Sequence, residues 1–357
     1  ALSLMLKLLI LPMLLCMSSC TGLGYYWQSV EGHMSLMKAA RPVDDWLNDT
    51  QTPEKLKAKL LLTKKIRAFA ADELKLPDNP SYKSYADLKR KAVVWNVVAA
   101  PALSLKLKTW CFPVAGCVGY RGYFSEADAK LEAEELKKED FDVSVYGVPA
   151  YSTLGWSNWA GGDPLLSTFI GYPEGELARI VFHELAHQVV YVADDTSFNE
   201  SFATAVERLG GARWLAKHGS EATKAEYAVY DGRRKQFKAL TQATRRQLTS
   251  IYVINSAVAG DLIDSLAMKN IVISEFKSQY ELLKTSWNGY AGYDNWVKQA
   301  NNAAFGALSA YEDGVPHFEA LFAQQGGDWS KFYEAVQKLA AMPKEARQAA
   351  LKQLIQE

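Results

Sequence analysis

Apolar positions change their period along this chain. From Pro53 to about Leu74 they fall at near-helical spacing, on Leu56, Leu60, Leu61, Ile66 and Phe69 with Lys between, and predict a helix opened by proline. From Ala92 to Val148 the pattern turns extended. Val93–Val98, the alternating Ser104–Trp110 and Val143–Val148 read as strands, with Tyr151–Trp156 as a fourth. Ser125–Lys138 between them reads as a helix opened by Ser-Glu-Ala-Asp. After Pro173 helical spacing dominates. It covers Glu174–Ala193, Ser197–Leu209, Glu221 to about Thr249, Asp261–Leu283 and Tyr293–Tyr311. The stretch Thr223–Arg246 is highly charged and reads as a solvated strut. A small sheet with helices, then helices, is an α+β arrangement. No linker composition separates the halves. We therefore expect one folded unit over 20–357, sheet-bearing over about 53–172 and helical over about 173–357.

The chain has 357 residues, nearly half of them hydrophobic, which supplies a core and excludes a disordered chain. Forty basic side chains balance forty acidic ones. That argues against a nucleic-acid partner, which needs a basic excess.

The start of the chain is a different kind of segment. Lys7 precedes the apolar run Leu8–Met17, and small residues follow. That is the layout of a secretory signal over residues 1–19. The run is short for a membrane span and contains Pro12, which speaks against an uncleaved anchor. Ser18-Ser19-Cys20 resembles a bacterial lipobox, with Met17 where Leu is usual. The resemblance implies acylation of Cys20 and attachment to a membrane. Thr21, rather than Asp, resembles sorting to the outer membrane, facing the periplasm. In that oxidising compartment Cys111 and Cys117, six residues apart around Pro113 and Gly116, are expected to form a disulfide rather than stay as buried thiols.

His183-Glu184-Leu185-Ala186-His187 carries the chemistry. Residues four apart on a helix share a face, so two imidazoles can bind one Zn²⁺ while the adjacent Glu184 reaches the attacking water as general base. With five His in the chain, the chance of this pattern arising at random is below about one in a hundred. A third protein ligand is needed. Downstream, Ser197 can cap a helix on which Glu200, Thr204 and Glu207 share one face, against Phe202, Ala205, Val206 and Leu209.

Asn199-Glu200-Ser201-Phe202-Ala203, with Glu207 seven residues after Glu200, resembles a segment of the aminopeptidase N family. The resemblance implies Glu200 as third zinc ligand. It departs in a shorter gap after His187 and in lacking the Gly-Ala-Met-Glu-Asn segment that grips a substrate amine there. The whole chain more closely resembles bacterial lipoproteins described as predicted aminopeptidases. The shared features are the lipobox followed by Gly24-Tyr25-Tyr26-Trp27-Gln28, the two blocks above, and Asn301-Asn302-Ala303…Tyr311…Val315-Pro316-x-Phe318. The resemblance implies a zincin-like, thermolysin-type unit that hydrolyses peptides. For the oxyanion donor the family points to a tyrosine; Tyr311 is the candidate, against a plain half-buried aromatic, with His317 as substitute. Glu207 either accepts from the free ring N–H of a zinc-bound imidazole or is a surface acid paired with Arg208 or Lys217. Tyr151–Trp156 is either a strand that pairs with substrate or a core strand. His33 and His218 read as surface residues. The competing reading from another class is an inactive relative serving as an envelope binding or scaffold lipoprotein.

Overall fold

The structure is a computed structural model, and it describes residues 20–355 apart from 113–115, 156 and 259–261. The expected signal segment lies outside the described residues. The architecture is α+β, with three small sheets rather than one among the described residues. Helix α1 (Cys20–Ala39) leads into β1 (Arg41–Pro42) and α2 (Val43–Asn48), Pro42 being unable to continue α1. Helix α3 (Glu54–Asp72) follows. Strands β1, β2 (Ser84–Ala86) and β8 (Leu165–Leu166) make one sheet. Strands β3 (Val94–Pro101), β6 (Arg121–Tyr123) and β7 (Phe141–Val148) make another, antiparallel with β3 central. Helix α4 (Glu126–Lys138) packs on that sheet, its N-terminus capped by Ser125 Oγ. Strands β4 (Trp110–Phe112) and β5 (Gly116–Val118) form a hairpin in which Cys111 and Cys117 stand opposite each other and are disulfide-bonded.

Two expected strands are absent. Ser104–Thr109 alternates, yet its leucines serve two cores. Leu105 joins the cluster around Phe237 and Phe305, and Leu107 packs with Val98, Ala100 and Ala303. The alternation marks two anchors, not one sheet face. Tyr151–Gly155 is irregular because Leu154 (φ +57) and Gly155 (φ +83) are left-handed, which no ladder accepts. The segment turns around the buried Asp163, whose carboxylate accepts from Thr153 N, Thr153 Oγ1 and Ser157 Oγ. Trp156 lies outside the described residues.

The helical half comprises α5 (Glu174–Ala186), α6 (Thr196–His218), α7 (Glu221–Val258), α8 (Leu262–Ser286), α9 (Asp294–Lys298), α10 (Asn302–Glu312), α11 (Val315–Gln324), α12 (Trp329–Ala340) and α13 (Lys344–Gln353). The main core gathers Leu60, Ile66, Phe182, Phe202, Phe318 and Phe332 from four of these helices and α3. Helix α7 is not a solvated strut. Phe237 and Leu248 are buried against Phe276, Tyr280 and Phe305, and Arg234 holds Glu176 of α5 through two hydrogen bonds. The span Tyr293–Tyr311 divides into α9 and α10. Asn301 caps α10 by accepting from Ala304 N, and its Nδ2 donates to Val143 O on β7. Asn302 Nδ2 donates to Pro101 O and Ala102 O. These two side chains pin α10 to the sheet.

Helix α5 stops at Ala186 rather than Ala193, and α6 starts from Asp195 rather than Ser197. Asp195 accepts from Phe198 N as the cap and also pairs with Arg347 of α13 at 2.7 Å, both side chains 4% exposed. Removing one member of such a pair leaves a buried charge uncompensated. Asp195→Ala should therefore lower unfolding free energy by about 3–5 kcal/mol in a denaturant titration. The double variant Asp195→Ala/Arg347→Met should recover a large part of it; full additivity of the two losses would contradict this account.

Candidate metal centre

Helices α5 and α6 lie side by side, joined by the tight loop 188–195. The loop is locked from the α6 side: Asn199 Oδ1 accepts from Val192 N and its Nδ2 donates to Val192 O, both at 2.8 Å. Lys344 Nζ donates to Asp194 O, and the disulfide hairpin rests on the same corner, Cys117 N donating to Asp194 Oδ1. Gly116 (φ +72) is required there, because a Cβ would come within 2.6 Å of Asp194. The short gap between His187 and Glu200 thus encodes a fixed corner.

That corner brings three ligand-type atoms together. His183 Nε2 and His187 Nε2 are 3.2 Å apart, and Glu200 Oε2 lies 3.3 Å from the first and 3.6 Å from the second. Tetrahedral zinc with bonds of about 2.0–2.1 Å separates its ligand atoms by roughly 3.3 Å, so the tripod fits that ion. His187 stands at the C-cap of α5 and keeps the helical turn that aligns it with His183.

Charge makes the same point. Glu184, Glu200 and Glu207 surround the imidazoles, and Arg179 is the guanidinium among them. With neutral imidazoles two negative charges remain, which a divalent cation would balance. Burial opposes a charge on His183, but the Glu200 and Glu207 carboxylates outweigh it and hold its pKa well above the ordinary imidazole value. Burial likewise pushes Glu200 up, yet His187 and His183 win and bring it down to about 2. Glu184 is raised, chiefly by burial, with the two imidazoles opposing.

Glu207 is not a surface acid. Its Oε2 lies 3.0 Å from His183 Nδ1, at ion-pair distance but off the line of a straight hydrogen bond, and its Oε1 accepts from Arg179 Nη2. Arg208 instead meets Glu319, and Lys217 meets Glu73. Arg179 was missed in the sequence, although it stands four residues before His183 on the same helical row. It is 5% exposed, and its Nη1 also donates to Tyr227 OH of α7 at 3.2 Å.

Tyr311 lies close enough for the Glu200 and Glu184 charges to act on it. Gly314 N donates to Ser201 Oγ, next to Glu200, and an added Cβ at Gly314 would come 2.6 Å from that oxygen, so the end of α10 sits against α6. Burial and the Glu200 charge keep the Tyr311 phenol well above its usual pKa, protonated and able to donate. Tyr120, after the disulfide hairpin, lies in the same surroundings of Glu200, Tyr191 and Tyr146. No motif or spacing singles it out. Tyr82 is buried with φ +63 and also feels the Glu184 charge. His317 is half-buried on α11, its Nδ1 without a partner. His33 is half-buried against Tyr151 rather than on the surface, while His218 is exposed and stacks on Trp214.

A family model described as "Putative aminopeptidase" matches residues 24–351. The chain belongs to that family. No curated protein and no solved structure matches it. Membership of the aminopeptidase family spans both helical walls of the corner, the sheet, and the helices that clasp it.

Arg179 gives a test that needs no metal. In Arg179→Met the Glu207 carboxylate loses its guanidinium while buried, which should destabilise the metal-free chain by about 3 kcal/mol in chemical unfolding. Arg179→Met/Glu207→Gln should regain much of this, and a double variant no more stable than the single one would refute the pairing.

Proposed function

We propose that the chain is a zinc-dependent peptidase, an aminopeptidase in the sense of its family. The observation that carries the reading is the buried tripod of His183, His187 and Glu200 with Glu184 beside it. Its spacing suits a tetrahedral ion with a fourth position open. Bound there, zinc would lower the pKa of water toward neutrality and polarise the scissile carbonyl. Glu184 accepts the proton of the attacking water as its oxygen adds to the peptide carbonyl carbon, then returns that proton to the leaving amine. The Tyr311 O–H donates to the oxygen that gains negative charge. Glu207 orients His183 and is itself held by Arg179. Helices flanking a small sheet suit a zincin-like unit, which we take as the fold type.

The same reading makes the chain a lipoprotein of the bacterial envelope, held by acyl chains on Cys20 and acting on peptides at the periplasmic side of the outer membrane. Its support is the Leu8–Met17 run and Ser18-Ser19-Cys20. No described helix is long and apolar enough to cross a membrane.

Elemental analysis of freshly purified chain should find one zinc per molecule; its absence refutes the proposal. Glu184→Gln should keep zinc and lose about 10³-fold or more in peptide hydrolysis, since an amide cannot take the proton. A wild-type rate in that variant would mean another base.

Glu200→Ala should abolish tight binding in a zinc titration, whereas Glu207→Ala should cost about 10–100-fold. The reverse order would reassign the third ligand. Tyr311→Phe should lower kcat about 10²–10³-fold with zinc affinity unchanged. An unaltered kcat would move the donor role to Tyr120.

A further inference from the structure

Helix α1 is built inside out for a helix facing water. One side is docked on the protein. Tyr25 packs against Phe112 and Tyr123, Gln28 Oε1 accepts from Phe124 N, and Leu36 is buried. Gly32 lies so close to the Phe124 ring that a Cβ would come within 2.2 Å of it. The opposite side carries Trp27, Val30 and Met34, which are 71%, 53% and 65% exposed. At about 100° per residue these three lie within roughly 60° of one another around the helix. Tyr26 flanks them, and the exposed charges of α1 are Glu31 and Lys38.

We propose that this stripe is a membrane-contacting surface. Helix α1 lies along the bilayer with Trp27, Val30 and Met34 in the boundary between headgroups and acyl chains. The inference rests on the reading of Cys20 as the acylated residue. Cys20 is also the first residue of α1, so acyl chains there bring the first turn to the bilayer. Trp27 follows at about 10 Å along the axis, and the whole helix is about 30 Å long. Trp and Tyr are the side chains that favour the headgroup level. A stripe of three side chains is too small for a stable dimer, which needs about 800 Å² from each partner. It is enough to hold a helix flat once a lipid chain has supplied the main attachment. The catalytic unit would then have a fixed orientation on the membrane instead of swinging on a tether, because α1 is packed against the β3–β6–β7 sheet through Tyr25 and Phe124.

The test uses the full-length, processed protein, extracted from membranes and reconstituted into vesicles of phosphatidylethanolamine and phosphatidylglycerol. Half the vesicles carry lipid brominated on the acyl chains. Intact mass spectrometry reports whether Cys20 is acylated; a non-acylated Cys20 refutes the anchor reading and the proposal with it. With acylation established, Trp27 is read as the fluorescence difference between wild type and Trp27→Phe. We expect bromine to quench that component at least about twofold. We expect the quenching to fall in Val30→Ser/Met34→Ser while hydrolysis of a soluble peptide is unchanged. Acylated protein whose Trp27 is unquenched by bromine and quenched by aqueous iodide would overturn the proposal. So would a Trp27 shielded from both quenchers, which means a protein covers the stripe.

Discussion

Three carboxylates and two imidazoles are held between α5 and α6, in a largely buried setting. The same two helices turn Phe182, Leu185, Phe198 and Phe202 into the apolar core, and all four are buried. Such a cluster is costly unless its charges are matched. Arg179 matches one, and the space among His183, His187 and Glu200 is where a cation would match the rest. The demand explains features that look unrelated. The loop between the helices is short and bonded at both ends, because the ligand atoms must meet within a few tenths of an ångström. Two ion pairs from α7 and α13 brace the pair from behind and from its end.

The parts of this arrangement that depend on local chemistry were legible in the sequence. The His183–His187 row and the Glu200 helix follow from spacing, and the structure brings all three residues together. The Asn301-Asn302 pair was visible as a motif. Its role was not, because both side chains bond to backbone carbonyls some 150–200 residues away. Cys111 and Cys117 pair as their spacing and the inferred compartment suggested.

What was not legible depended on long-range partners. The periodicity of α5 continues past Ala186, and nothing local ends it. It ends because Val192 is claimed by Asn199 and the chain must turn to bring Glu200 across. Asp195 displaced Ser197 as cap for a similar reason: it serves Arg347 as well as Phe198 N. Tyr120 could not be singled out among eighteen tyrosines, since its place is set by a hairpin docked on Asp194. The charged sequence of α7 looked solvated because the partners that tie Arg234 and Arg245 to the protein, Glu176 and Asp313, sit on other elements.

The corner at residues 194–195 is held by Lys344 and Arg347, which lie 150 and 152 residues further along the chain. They are made well after every ligand-type residue of the centre. The scaffold of the candidate centre is therefore completed by a distant segment rather than by its own neighbourhood. A nascent or prematurely ended chain would contain every ligand residue and still lack the clasp that sets their spacing. Translation order thus builds in a delay, leaving this corner unfinished until residues 344–347 have been made.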